Sequence, residues 1–259
     1  MFSSQFQAHH IQEKRRNRLS CLLQGAQTGG TIYHMTSLAF LIDVDNTLLA
    51  NDGIKSDLDA HIRVEMGPAL TARYWELYEQ ARLECGFVNI PLALQRLRAQ
   101  TTLAELDEQT YLHVRSIFDN YPFFKALYPH VVETLTYLST LGTTVIVSDG
   151  DSIFQAEKIF ASSLAEDVAG RVLIYDHKQK YLQEIMNTYP ADHYAMIDDK
   201  PDILADCKPL LGERLTTVFV RQGKYAEQPL RPGFTPDISV QHIGDLRNYS
   251  AAQFLRGQE

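Results

Sequence analysis

Asp43 and Asp45 stand one residue apart at the end of the apolar run Leu38-Ala39-Phe40-Leu41-Ile42, and Thr47 follows two places on. In an extended chain, residues i and i+2 point to the same side with their bases about 6–7 Å apart. Carboxylates held at that spacing repel one another. The physical remedies are a hard cation such as Mg²⁺ or a proton retained on one acid. Three further apolar runs end in the same way. Ser148-Asp149-Gly150-Asp151 follows 143–147, Asp176-His177-Lys178 follows 172–175, and Asp198-Asp199-Lys200 with Asp202 follows 194–197. A helix N-cap uses one polar residue, and these loops carry two or three, so capping alone leaves the excess unexplained.

These loops need an element order that brings them to one place. Residues 143–147 form a β-branched run suited to a strand buried on both faces. Strand patterns at 172–175, 194–197, 216–220 and 238–240 alternate with helical patterns at 131–141, 153–164 and 178–188, which implies a parallel sheet covered by helices on both sides. Ligands of such sheets bind beyond the carboxyl ends of the strands, where all four polar loops fall. Between the first strand and residue 118 the apolar spacing is helical, with Asn51-Asp52-Gly53 as a turn signal and Gly86 and Pro91 as punctuation, which predicts three or four amphipathic helices. The expected organisation is a flexible extension over 1–34, an α/β core over 35–52 and 122–250, a helical insertion over 53–121 and a tail over 251–259.

With 259 residues, 45% of them hydrophobic, the chain is long enough for a large core, and its net charge of −8 argues against a nucleic-acid or anionic-membrane surface. No apolar stretch approaches the roughly 18 residues of a membrane helix. Residues 1–34 carry Glu13 against Lys14, Arg15, Arg16 and Arg18, a net +3, which leaves −11 for residues 35–259. A helix over residues 9–23 is the alternative to a flexible extension, and Met35 is a plausible start of translation. Cys21, Cys85 and Cys207 lie far apart and outside any CxxC pattern, which fits reduced buried thiols in a cytoplasmic protein rather than disulfides or a zinc site.

Over residues 38 to about 221 the polar loops resemble the haloacid dehalogenase superfamily, whose members are mostly Mg²⁺-dependent phosphatases. Asp43-Val44-Asp45-Asn46-Thr47 is similar to the first motif of that family, Ser148 to the second, Lys178 to the third and Asp198-Asp199 to the fourth. The helical insertion is similar to the cap of its C1-capped group. The resemblance implies a Rossmann-like, doubly wound parallel sheet with an inserted all-helical cap domain. It also implies an aspartyl-phosphate mechanism on a small phosphorylated metabolite, without a nucleic-acid or membrane partner. Asp43 would be the nucleophile, and Asp45 the acid and then the base, with a pKa raised by burial. Thr47, Ser148, Asp149, Gly150 and Lys178 would meet the phosphate. Asp43, the Asp45 backbone carbonyl, Asp198 and Asp199 would hold Mg²⁺, with Asp202 an alternative to Asp199. Lys180 competes with Lys178, which is preferred because it opens a helix and has Leu182 four residues later. Retention of an aspartate at Asp45 points away from dehalogenation. A phosphomutase and a non-catalytic binder of phosphorylated ligands are the alternatives. In the insertion, Tyr74, Trp75 and Tyr78 are expected in the bundle core, and Arg63, Arg73, Arg82, Arg96 and Arg98 on the surface. His177 is expected to be structural, with phosphate binding as the alternative, and Lys200 and Arg221 are expected either to serve the site or to be salt-bridge partners.

Overall fold

The computed structural model describes residues 36–256, so the extension over 1–34 and its alternative helix over 9–23 lie outside the described residues. Strands β1 (Leu38–Ile42), β2 (Thr143–Asp149), β3 (Val172–Tyr175), β4 (His193–Asp198), β5 (Leu215–Val220) and β6 (Ile238–Val240) form one parallel sheet in the order β3-β2-β1-β4-β5-β6. The order reverses direction between β1 and β4, which is where a doubly wound sheet opens a crevice for ligands.

Alternation along the strands divides the core in two. Phe40, Ile42, Ile146 and Ile197 face one side, with Leu135 and Leu138 of α4 (Val131–Leu141) and Phe254 of α9 (Ala251–Arg256). Leu41, Val145, Val147 and Met196 face the other, with Ile185 of α7 (Leu182–Thr188) and Leu204 and Cys207 of α8 (Pro201–Leu211). The helix α5 (Ser152–Ala161) and the short α6 (Leu164–Asp167) join β2 to β3. Residues 251–256, expected as tail, form a helix because Phe254 is fully buried and meets Phe40 edge to face at 5.0 Å. The helix α8 was not expected from the sequence, although Pro201 occupies its first turn, a position proline favours.

Between β1 and β2 the chain forms α1 (Asn51–Cys85), α2 (Ile90–Gln100) and α3 (Glu108–Asp119). Asn51-Asp52-Gly53 proves to be the first turn of α1 rather than a separate turn. Helix α1 kinks at Gly67, whose φ of 78° and ψ of 167° are non-helical, and both halves bury an apolar stripe. It stops at Gly86, which is left-handed and donates its amide to the Arg82 carbonyl. Asn89 and Asp107 cap α2 and α3 through their side chains. Tyr74 packs on Phe118 at 5.2 Å and Trp75 on Tyr78 at 5.2 Å, so the aromatic stripe is bundle core as expected. Arg63, Arg73, Arg96 and Arg98 form surface ion pairs with neighbouring glutamates or aspartates. No helix among the described residues is long and apolar enough to cross a membrane. Cys207 is a buried free thiol, whereas the thiol of Cys85, at the end of α1, is only partly buried; Cys21 lies outside the described residues.

Candidate active site

The acidic cluster follows from strand register. β1 and β4 pair in parallel with Ile42 opposite Ile197, and Asp43 donates its amide to the Ile197 carbonyl at 2.9 Å, so Asp43 and Asp198 leave the sheet side by side. Asp199 is the next residue. One carboxylate oxygen from each of Asp43, Asp198 and Asp199 lies within 4.8 Å of the others, and all three residues are buried. Both Asp199 oxygens are buried without a hydrogen-bond partner. An unpartnered buried carboxylate is costly, so this donor set fits a hard divalent cation.

Lys178, 1% exposed, lies among these acids. Its ammonium pairs with Asp43 Oδ1, lies 2.7 Å from Asp198 Oδ2 and donates to the Val147 carbonyl at 3.2 Å. Burial alone would lower its pKa, and the surrounding carboxylates outweigh that and raise it well above the ordinary value. Burial raises the Asp43 pKa, an effect the Lys178 charge only partly offsets. Burial likewise raises that of Asp199, with Asp198 and Asp43 adding to it. Lys180, by contrast, is exposed and reaches only Asp176 at 3.9 Å, so Lys178 is the lysine brought to the site. Its own backbone amide donates to Asp149 Oδ1 at 2.7 Å, which ties the third loop to the second.

Thr47 is buried and donates to Asp43 Oδ2 at 3.5 Å. Ser148 is 1% exposed, and its hydroxyl has no hydrogen-bond partner. Gly150 has φ of 148°, and a Cβ there would lie 2.8 Å from Gln155 Cγ, so glycine makes room for the Gln155 side chain. Asp202 is drawn away to Gln228 and Arg231 on the surface and does not join the cluster. Arg221 stacks on Phe219 and donates to the Ala226 carbonyl. His177 packs under the end of α1, where a Cβ on Gly86 would lie 2.7 Å from its Cε1. The Lys200 amide donates to Asp198 Oδ1, and Asp43, Asp198 and Asp199 overcome the effect of burial to raise the pKa of its side chain.

Asp45 departs from expectation. Its carboxylate turns from the cluster to α5, where the Lys158 ammonium lies 2.6 Å from Oδ1 and the Gln155 amide donates to Oδ2 at 3.0 Å. Burial pushes the Asp45 pKa up, but Lys158 and Gln155 outweigh burial and hold it below the ordinary value, opposite to the rise expected for a resident acid. Lys158 and Gln155 are themselves buried and were not singled out in the sequence. The available signal was their spacing of three, which sets both on one face of α5.

No family model and no curated protein matches the sequence. Among solved structures, a haloacid dehalogenase-like hydrolase from Burkholderia xenovorans LB400 matches with a TM-score of 0.76 and 44% identity, over 84% of this chain and 98% of that one. A HAD-hydrolase from Bacillus subtilis bound to magnesium matches with a TM-score of 0.53 and 14% identity, over 82% and 98%. The L-2-haloacid dehalogenase from Xanthobacter autotrophicus with chloropropionic acid covalently bound gives 0.51 and 16%, over 81% and 96%. The last two show shared fold alone. With 44% identity across nearly the whole Burkholderia structure, and with four polar loops meeting at one sheet edge, this chain belongs to the haloacid dehalogenase-like hydrolases.

Proposed function

We propose that the protein is a Mg²⁺-dependent phosphomonoesterase acting on a small phosphorylated metabolite. The observation that carries this reading is the buried Asp43, Asp198 and Asp199 cluster, with both Asp199 oxygens unpartnered. Attack on a carbon–halogen bond has no need of three converging carboxylates, whereas a phosphate ester brings negative oxygens that a cation must offset. Asp43, Asp198 and Asp199, with the Asp45 backbone carbonyl, would hold Mg²⁺, which when bound would neutralise phosphate oxygens.

In this reading an Asp43 carboxylate oxygen attacks phosphorus, the bond from phosphorus to the leaving oxygen breaks, and an aspartyl-phosphate forms. Asp45 passes a proton to the leaving oxygen, drawing on the Lys158 ammonium beside it. It then takes a proton from the water that attacks the aspartyl-phosphate, which frees Asp43 and inorganic phosphate. Lys178 and the unpartnered Ser148 hydroxyl offset and bind the phosphate oxygens. Asp149 anchors the Lys178 backbone, Gly150 leaves room for Gln155, and Thr47 steadies the Asp43 carboxylate.

The test is hydrolysis of an aryl phosphate with and without Mg²⁺ by the native protein and by Asp43→Asn, with circular dichroism to verify the fold. Turnover that needs Mg²⁺ and disappears in Asp43→Asn is expected. Unchanged turnover in Asp43→Asn, or halide release from 2-chloropropionate without any phosphatase activity, would overturn the reading.

A further inference from the structure

We infer that the substrate carries a second anionic group, a carboxylate or phosphate apart from the transferred phosphoryl, and that Lys55 and Lys224, assisted by Arg82, receive it. This inference rests on the phosphatase reading and names its substrate class. A cavity of about 270 Å³ opens at the carboxyl edge of the sheet, lined at the sheet by Asp45, Asp149 and Lys200, and elsewhere by Lys55 and Arg82 of α1 and Lys224 of the loop after β5. This is near the lower end of small-molecule sites, which run from about 300 to 1,000 Å³. A compact ligand of a few carbons suits it.

The charges beside the sheet already have work. Asp45 is held by Lys158 and Gln155, and Asp149 accepts the Lys178 amide. Lys200 has no carboxylate oxygen within ion-pair distance either, but it follows directly on Asp198 and Asp199, and with Asp43 their charges raise its pKa, so its charge serves the acidic cluster. The lysines of the other wall stand apart from that cluster. Among the described residues, neither Lys55 nor Lys224 has a carboxylate oxygen within the 4.0 Å of an ion pair. Lys55 is half-buried with its ammonium 4.6 Å from the Tyr78 ring centre, and the Lys224 ammonium lies 4.9 Å from that of Tyr225. Arg82 gives only its Nε to Glu79, at 2.7 Å.

Elsewhere on these helices the arginines are matched. Arg63, Arg73 and Arg98 each have a carboxylate within 3.2 Å, and Arg96 has Glu84 at 2.5 Å. A chain of net charge −8 has acids to spare, so unmatched lysines converging on a half-enclosed cavity mark the place of an anion brought by a ligand. Burial, and after it the Lys224 charge, disfavour the Lys55 ammonium more than Glu79, Asp52 and Asp45 favour it, and a bound anion would relieve that penalty. Two anchor points, one at Lys178 and one at Lys55 and Lys224, would also fix the direction in which the substrate lies.

The test uses phosphonates, which are not turned over. Isothermal calorimetry with Mg²⁺ would compare alkylphosphonates of two to four carbons with their ω-carboxylated counterparts, on the full chain and on Lys55→Gln/Lys224→Gln. The carboxylated member that best spans the cavity should bind about tenfold or more tighter than its plain counterpart, a margin that one charged contact supplies. That margin should collapse in the double variant, which keeps its affinity for the plain phosphonate, and Lys55→Arg should largely keep the margin. Equal affinities in the native chain, no binding of any member, or a margin that survives in the double variant would overturn the inference. Absence of aryl phosphate hydrolysis would sink the phosphatase reading separately, because the binding margin needs no turnover.

Discussion

Replacing Lys158 by methionine removes the ammonium that faces Asp45 at nearly constant side-chain length, so it isolates one buried charge. The Lys158 side chain is 3% exposed, that of Asp45 19%, and their contact is 2.6 Å. Removing one member of a buried pair costs about 3–5 kcal/mol, because the other charge is stranded away from water. Asp45 retains the Gln155 amide at 3.0 Å and a little solvent, which sets the expected loss near the lower end, about 3 kcal/mol. In a chain of this length that is a drop in Tm of about 6–12 °C. Asp45→Asn should cost a similar amount, since it leaves the more deeply buried Lys158 charge with only an amide oxygen as acceptor. Once Asp45 is neutral, removing Lys158 strands nothing, so the double variant should lose less than the sum of the single variants. Urea unfolding of all four proteins at pH 7 measures this coupling, expected at about 1–3 kcal/mol. A coupling below about 0.5 kcal/mol would refute the reasoning, since residues that far apart in energy are independent.

Adding Mg²⁺ should raise Tm, by the equivalent of about 2.7 kcal/mol at a hundred times Kd. Asp199→Asn should shrink that rise, and an undiminished rise would remove Asp199 from the ligand set. Phe254→Ala should cost about 3–5 kcal/mol in urea unfolding, the range for a large buried aromatic, while a loss below about 1 kcal/mol would contradict the docking of α9 on Phe40. Asp237 accepts from Lys208 at 2.9 Å and from the Thr217 amide and hydroxyl at 2.8 Å each; burial raises its pKa, but these donors outweigh burial and hold it below the ordinary carboxylate range. Its stabilisation is therefore complete above the unfolded value and lost as pH falls through the depressed folded one. Asp237→Asn should flatten the acid side of the stability profile, and an unchanged acid limb would count against the interaction.

The residues at strand ends were legible because an apolar run that stops in acids states both its burial and its exit point. Asp43, Ser148, Lys178 and Asp198 are each placed by a strand whose pattern is visible within a few residues. Asp45 was legible as a residue of the candidate site and misread in its electrostatics. Its partners sit 110 and 113 positions away on α5, and local patterning holds no record of a contact at that range. Asp202 misled for the opposite reason. Its spacing from Asp198 suited a ligand, but Pro201 starts α8 there, and Asp202 becomes a first-turn acid turned to Arg231. The unmatched lysines were equally silent, because a lysine lacking a partner looks the same in sequence as one that has it.

The loop after β5 fastens the turn that carries Asp45. Gln222 donates to the Thr47 carbonyl at 3.2 Å and accepts the Ile243 amide at 2.7 Å, and the Lys224 amide donates to Asp52 at 2.8 Å. Gly223 leaves no space for a Cβ, which would lie 2.4 Å from Asn46 Cγ. A chain emerging from the ribosome that has reached only the end of β4 therefore contains Asp43, Asp45, Lys178 and Asp198, yet lacks the clasp over the first of its loops. The clasp on the Asp45 turn is thus supplied by residues that come after every strand end of the acidic cluster.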